Sequence, residues 1–141
     1  METGIKVGDI MKTSLITIPD TATVEEAAKI MTSKRIGSVL VFDKSKQIYG
    51  ILTDRDLVEK AIAKGLKNSM TISKFVSKPL IGIEPDSDIS EAAKLMGNED
   101  LRRLVVFKSG KVVGILSEKD IVKISPSLYD LIAEKIEGHI K

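Results

Sequence analysis

The amino-acid sequence predicts a mixed α/β fold of the α+β class, in which two β-α-β-β-α repeats are followed by a C-terminal helix. Two observations support this prediction: an internal duplication and one phrase that occurs twice. Residues 50–58 read Gly-Ile-Leu-Thr-Asp-Arg-Asp-Leu-Val, and residues 114–122 read Gly-Ile-Leu-Ser-Glu-Lys-Asp-Ile-Val. Because a repeat of this size buries little surface alone, we expect the two repeats to pack sheet to sheet about a pseudo-twofold axis.

The duplication covers most of the chain, at an offset of about 65 residues. Pairs of matching segments recur in the same order in both halves, as is typical of a repeat architecture. One pair is Glu26-Ala-Ala-Lys-Ile-Met31 with Glu91-Ala-Ala-Lys-Leu-Met96. We therefore divide the sequence into a first repeat (1–65), a second repeat (66–125) and a C-terminal helix with its tail (126–141).

The elements of each repeat follow from hydrophobic periodicity. A segment that could form one helical turn (5–11 and 70–76) precedes a short first strand (14–18 and 79–83). The next segment has apolar residues at helical spacing, and Thr23 and Asp88 are suitable N-caps for the two helices. The apolar positions are Val24, Ala27, Ala28 and Met31 in one repeat and Ile89, Ala92, Ala93 and Met96 in the other.

A β-hairpin and a second helix complete each repeat. The β-prone runs 38–42 and 47–52 flank a polar turn, and the runs 105–107 and 111–116 repeat this pattern. We expect the helix after Thr53 to bury four apolar side chains and to end at Gly65, a suitable C′ residue. The four are Leu57, Val58, Ala61 and Ile62. Beyond the repeats, Leu128, Leu131, Ile132 and Ile136 form the apolar stripe of a C-terminal helix that ends at Gly138.

Composition excludes several classes of function. The chain has no cysteine and a single histidine, His139, so neither thiolate catalysis nor a histidine-rich metal site can be assembled. We therefore expect no catalytic residues and no metal. The net charge of +2 comes from interspersed residues, which makes nucleic acid an unexpected partner. No apolar run is long enough for a membrane span, and we expect a cytoplasmic protein. Abundant Lys, Glu and Ile with few amides suggest a thermophile.

The repeated phrase places a hydroxyl and a carboxylate at the start of a helix. Thr53 and Ser117 have the chemistry of N-caps, and Asp56 and Asp120 lie at the N3 position of the same helices. Two interpretations are open at this point. The pairs can be capping boxes that satisfy the free N–H groups of the first turn, or they can hold a ligand, since helix N-termini bind anions.

The tandem β-α-β-β-α unit with Gly-Ile-Leu-Thr-Asp-Arg-Asp and Gly-Ile-Leu-Ser-Glu-Lys-Asp resembles the cystathionine β-synthase (CBS) domain pair, over roughly residues 7–125. The resemblance implies a regulatory module that binds an adenosine-containing ligand in clefts between the repeats. AMP, ADP, ATP and S-adenosylmethionine are the candidate ligands. It further implies that Thr53 with Asp56, and Ser117 with Asp120, contact ribose and phosphate.

The resemblance also assigns the remaining parts of the two sites. It implies that adenine lies against the first strand of each repeat and that Arg103 binds phosphate. The residue aligned with Arg103 in the first repeat is Ser38, so we expect the site with Arg103 to bind phosphorylated ligands more tightly. Arg102 is expected to be a solvated strand entry. The residues expected near adenine are Leu15, Ile16, Leu80 and Ile81, and the weaker candidate phosphate ligands are Arg55, Lys119, Lys12 and Arg35.

Two functions are compatible with the sequence. The first is an adenine-nucleotide sensor that acts on another, unidentified protein. The second is a scaffold that dimerises through its helices without a ligand. In both cases we expect a homodimer, because the helices present more apolar surface than one pair of repeats can cover.

Overall fold

The computed structural model describes residues 2–130 and 132–133. These residues form two three-stranded sheets with flanking helices, which confirms the predicted mixed α/β class. In chain order the elements are α1 (Val7–Ile10), β1 (Thr17–Pro19), α2 (Val24–Lys34), β2 (Ser38–Phe42), β3 (Ile48–Thr53), α3 (Asp54–Asp56) continued by a π-helix (Leu57–Ile62), a 3-10 turn (Ile72–Lys74), β4 (Gly82–Ile83), α4 (Ile89–Asn98), β5 (Arg103–Lys108), β6 (Lys111–Ser117) and α5 (Glu118–Ile124).

The chain divides into two compact units. The first unit is Leu15–Leu80, and the second unit combines the described residues of Met1–Ser14 with those of Ile81–Lys141. In the first unit β1 is parallel to β2, and β2 is antiparallel to β3. In the second unit β4, β5 and β6 have the same arrangement. The two predicted hairpins are therefore confirmed.

Helix α2 begins as the periodicity predicts. The Thr23 hydroxyl accepts a hydrogen bond from the Glu26 backbone N–H, and the Glu26 carboxylate accepts one from the Thr23 N–H, which makes a capping box. The apolar face of the helix packs into the core of the first unit, where Val24, Ala27 and Met31 are buried. The same face of α4 is buried in the core of the second unit.

The helix after Thr53 departs from the prediction. Leu57 and Ala61 are buried, but Val58 and Ile62 are 57% and 60% exposed, so the expectation that all four side chains are buried is wrong. The segment is a π-helix, in which the Ala63 N–H donates to the Val58 carbonyl. A unit this small covers only a narrow stripe of its helix, and the adjacent positions stay at the surface.

The segment that leads into each repeat packs on the hairpin of the other repeat. We call residues 3–12 and 68–77 the lead segments. Lys12 forms a β-bridge with Ile115 in the second unit, and Ser77 forms the equivalent bridge with Ile51 in the first unit. The compact units are thus composed differently from the sequence repeats 1–65 and 66–125, and that division of the sequence stays a prediction.

Asp88 holds the beginning of the lead segment 3–12. Its carboxylate caps α4 by accepting from the Ser90 N–H, and it also accepts from the backbone N–H groups of Thr3 and Gly4 and from the Thr3 hydroxyl. Burial raises the pKa of this carboxyl, but the hydrogen bonds from Ser90 and Thr3 outweigh that effect, so the pKa of Asp88 lies far below its ordinary value.

The C-terminal segment begins as a helix. Residues 128–130 and 132–133 are helical, and Leu128 and Ile132 are buried in the core of the second unit. The predictions for Leu131, Ile136, Gly138 and His139 concern positions outside the described residues.

Candidate functional site

In each unit the repeated phrase forms the junction between the last strand and the following helix. Strand β3 ends at Thr53 where α3 begins, and β6 ends at Ser117 where α5 begins. The Thr53 hydroxyl accepts from the Asp56 N–H at 3.0 Å, and the Asp56 carboxylate accepts from the Thr53 N–H at 2.9 Å. The Ser117–Asp120 pair repeats this geometry at 3.2 and 2.9 Å. The capping-box interpretation is therefore correct for both pairs.

Capping leaves part of each carboxylate for other partners. Both bonds from the N-cap backbone go to Oδ2, so the Oδ1 atoms of Asp56 and Asp120 lie outside the boxes. Each Asp is only 8% exposed. Water has little access to such a carboxylate, so its hydrogen bonds depend mainly on the groups packed around it. The partners of the two Oδ1 atoms therefore distinguish the two sites.

The sheet register brings further predicted site residues to the same edge. Ser38 lies directly opposite Thr53 across the antiparallel pair, and Arg103 lies directly opposite Ser117. Residues that face each other across such a pair are close neighbours on one face of the sheet. The structure therefore places Arg103 beside the Ser117–Asp120 pair and the shorter Ser38 at the matching position of the first unit.

The predicted adenine residues lie just before the short parallel strands. Ile16 is half-buried and its carbonyl accepts from the N–H of Leu40 in β2, while Ile81 accepts equivalently from Val105 in β5. Leu15 is half-buried, and Ile81 is 37% exposed. Leu80, also half-buried, is the last residue of the first unit. Because β1 is parallel to β2 and β4 is parallel to β5, both strand entries lie at the end of the sheet where the helix N-caps are found.

A glycine in each phrase allows the lead segment to approach the sheet. A Cβ added to Gly114 would lie 2.5 Å from the Met11 sulfur and 3.1 Å from the Lys12 carbonyl oxygen. A Cβ at Gly50 would lie 2.8 Å from the Ser77 carbonyl oxygen and would also meet Val76. These close approaches explain why glycine opens both phrases. They also bring Ser77 to Asp56 and Lys12 to Asp120.

In the first unit the Asp56 carboxylate is fully occupied by groups of the same unit. The Ser77 hydroxyl donates to its Oδ1 and Oδ2 at 3.1 and 3.2 Å. The Lys60 ammonium lies 3.0 Å from Oδ1. Sequence reasoning missed both residues. Lys60 could have been found as the i+4 partner of Asp56, whereas the approach of Ser77 depends on packing of the lead segment.

In the second unit the Asp120 carboxylate is much less occupied. Its nearest cation is Lys12, whose ammonium is 3.7 Å from Oδ1 and whose side chain is 64% exposed. Among the residues that the structure describes, no hydrogen-bond donor reaches Oδ1 of Asp120. This oxygen, on a residue that is otherwise largely buried, therefore has only a solvated ammonium near it.

The arginines and lysines near the two sites have different surroundings. Arg103 is half-buried, and no carboxylate of the described chain lies within ion-pair distance of its guanidinium. Arg102 is exposed and paired with Glu118, as expected of a solvated strand entry. Arg55 pairs with Glu59 at 2.7 Å along its own helix, and Lys119 is exposed. Arg103 is thus the cation best placed to receive an external anion.

The described residues contain no group of three or more His, Cys, Asp or Glu side chains that could hold a metal ion. Nor does any helix in the described ranges reach the length and apolar character that crossing a bilayer requires.

Comparison with known proteins identifies the class to which this fold and these paired sites belong. The model of the CBS domain matches the chain twice, at residues 7–63 and 72–127. The chain therefore belongs to the CBS domain family and carries a tandem pair, as the resemblance in the sequence predicted.

Individual relatives agree with this assignment. A CBS domain-containing protein of Arabidopsis thaliana is 41% identical over 64 residues, which are 45% of this chain and 12% of that protein. The match thus spans only a small part of that relative. A CBS domain protein of unknown function from Thermoplasma acidophilum is 25% identical with a TM-score of 0.86, covering 93% of this chain and 75% of that one. A CBS domain protein from Pyrobaculum aerophilum complexed with AMP is 22% identical, with a TM-score of 0.78 over 92% and 99% of the two chains.

Proposed function

We propose that the chain is a regulatory module that binds an adenine nucleotide and transmits its binding to a partner protein. Family membership supports this function at the level of the class, and the Pyrobaculum protein of the same fold is complexed with AMP. The observation that carries the proposal is the second site. One end of the sheet there holds a largely buried carboxylate, an N-cap hydroxyl and a half-buried guanidinium. Among the described residues, no hydrogen-bond donor reaches Oδ1 of that carboxylate and no carboxylate pairs with the guanidinium.

The roles follow from donor and acceptor chemistry. A ribose diol supplies two O–H donors, which match Oδ1 of Asp120 and the remaining acceptor capacity of the Ser117 hydroxyl. A phosphate supplies acceptor oxygens that match the planar donor fork of Arg103. Ile81, at the entry to β4, offers apolar and backbone contact to a base. Oδ1 of Asp120 and the Arg103 guanidinium thus receive hydrogen-bond partners that the described residues do not supply.

The first site is proposed to bind the same class of ligand more weakly. Thr53 and Asp56 provide the same hydroxyl and carboxylate, and Leu15 and Ile16 provide the strand entry. Ser38 takes the place of Arg103. A hydrogen bond to a charged group contributes about 1.5–3 kcal/mol, so the lack of an arginine corresponds to roughly a tenfold to hundredfold weaker affinity for phosphate.

The first experiment is a thermal-shift screen with AMP, ADP, ATP and S-adenosylmethionine, followed by calorimetric titration of each ligand that raises the melting temperature. Asp120→Asn preserves the shape of the side chain but removes its charge. We expect this variant to bind the ligand at least about tenfold more weakly than the wild type. Asp86→Asn is the matched control, because the Asp86 side chain is 92% exposed in the same unit. Unchanged melting temperatures with all four ligands would contradict the proposal.

Self-association is the second candidate function, in which the module is a scaffold that needs no ligand. It is favoured by the exposed apolar side chains Val58 and Ile62 on the π-helix and Ile124 on α5. We propose a homodimer that buries them. Light scattering at micromolar concentration should give the dimer mass for the wild type and the monomer mass for Val58→Lys with Ile62→Lys. A wild-type monomer would refute this.

A further inference from the structure

Lys60 is held at the first site by more than its charge. Its ammonium donates to the Phe75 carbonyl oxygen and to the Ser77 hydroxyl, each at 3.3 Å, while it lies 3.0 Å from Asp56 Oδ1. Three acceptors therefore surround one ammonium, which matches its three N–H donors. Two of the three partners belong to the lead segment 68–77. Lys60 thus links the carboxylate to that segment.

The groups around Asp56 occupy the positions that a bound diol would need. The Ser77 hydroxyl and the Lys60 ammonium both donate to Oδ1, and Ser77 also reaches Oδ2. Two donors on one carboxylate are what a ribose would supply. A ligand at this site must therefore displace donors that the folded chain already provides.

The second site has neither of these groups. The residue four positions after Asp120 is Ile124, which is 49% exposed, where the first repeat has Lys60. The residue equivalent to Ser77 in the β-bridge is Lys12, which makes no hydrogen bond to Asp120 and stays at 3.7 Å. The two repeats therefore differ in the residues that contact the carboxylate as well as at Arg103.

We propose that Lys60, together with Ser77, is an internal occupant of the first site that competes with the ribose of a nucleotide and so determines which of the two sites binds first. This inference rests on the proposed nucleotide-binding function and adds a residue that selects between the sites. Binding at the first site breaks the Lys60–Asp56 contact and frees the ammonium, whereas at the second site a ligand meets only the exposed Lys12 ammonium, 3.7 Å from Asp120 Oδ1.

The test is a reciprocal exchange of the residues four positions after each Asp, with AMP as the probe. Lys60→Met keeps the apolar stem and removes the ammonium, and Ile124→Lys places an ammonium at the same spacing from Asp120. In a calorimetric titration of the wild type with AMP, we expect one tight binding phase per chain. Asp120→Asn should lose this phase and Asp56→Asn should keep it. Lys60→Met should strengthen binding at the first site by about tenfold. Ile124→Lys should weaken the tight phase by a similar factor.

The outcomes distinguish failure of the internal-occupant role from failure of the nucleotide-binding function. A second phase that appears in Lys60→Met and vanishes in Lys60→Met with Asp56→Asn supports the internal-occupant role. Tight binding at both sites in the wild type, with no change in Lys60→Met, overturns that role and leaves the nucleotide-binding function intact. Absence of AMP, ADP and ATP binding in the wild type and in Lys60→Met overturns both. Circular dichroism spectra of every variant verify that the variants are folded.

Discussion

Gly114→Ala is the substitution whose effect can be worked out most fully from the structure. The added methyl carbon would lie 2.5 Å from the Met11 sulfur, 3.0 Å from Met11 Cγ and 3.1 Å from the Lys12 carbonyl oxygen. Carbon atoms in ordinary contact are about 3.5–4.0 Å apart. The Met11 side chain can turn away, but the backbone oxygen of Lys12 can move only if the lead segment 3–12 moves.

The cost of that movement has two parts. Overpacking costs about 1–3 kcal/mol, and each hydrogen bond of the Lys12–Ile115 bridge contributes about 0.5–1.5 kcal/mol. Both bonds, Lys12 N–H to Ile115 O and Ile115 N–H to Lys12 O, are 2.9 Å long. Replacing glycine with alanine also stabilises the protein by about 0.4–1 kcal/mol, because the unfolded chain has less conformational entropy to lose. If both bonds are lost, we expect a net loss of about 1–6 kcal/mol, or about 3–5 °C in melting temperature per kcal/mol.

The assay combines thermal unfolding with hydrogen exchange at single amides. In Gly114→Ala the amides of Lys12 and Ile115 should exchange faster, whereas those of Ser77 and Ile51 should stay protected. Gly50→Ala is the matched control and should give the opposite pattern, because its Cβ would meet the lead segment of the first unit. Unchanged protection of Lys12 and Ile115, with a wild-type melting temperature, would show that the lead segment does not depend on this glycine.

Further predictions concern the cap, the core, the surface and pH. Ser117→Ala should destabilise the protein by about 0.5–2 kcal/mol in urea unfolding, because it removes an N-cap hydroxyl. Leu116→Ala, at a side chain with 0% exposure, should cost about 2–5 kcal/mol in the same assay. Arg102→Ala should change the free energy of unfolding by less than about 1 kcal/mol, since the ion pair of Arg102 with Glu118 is at the surface. The depressed folded-state pKa of Asp88 contributes stability above its unfolded pKa of about 3.9, and this is lost as pH falls towards the folded value. Amide exchange at Thr3 and Gly4 should therefore stay slow in mild acid. If these two amides exchanged as slowly in Asp88→Asn as in the wild type, this reasoning would be wrong.

Local patterns predicted most of the fold. The hairpins, the capping boxes at Thr23, Thr53 and Ser117, and the Asp88 N-cap depend on neighbours within a few residues, so spacing and side-chain chemistry are enough to find them. The pairing of Arg103 with Ser117 also follows once the hairpin register is known. These features can be predicted from the sequence because the interactions that stabilise them are between residues that are close in the chain.

Features that depend on distant segments could not be predicted. The contact of Ser77 with Asp56 requires that the lead segment of one repeat crosses the hairpin of the other, and no local pattern indicates this. The exposure of Val58 and Ile62 likewise depends on how far the unit extends over its helix. The sequence predicts which residues are apolar, but the surface available to cover them is set by tertiary packing.

The exchanged lead segments have a consequence for the order in which the chain can fold. The first unit is continuous in sequence, so every strand of its sheet is available once residue 80 has been synthesised. The second unit needs residues 3–12, which are synthesised before the first unit, whereas their partners, such as Asp88 and Ile115, are synthesised after it. Bringing such distant residues together slows folding, because the entropy of the intervening loop is lost before the contacts form. Val7, which is buried in the core of the second unit, therefore stays exposed during synthesis while the first unit folds.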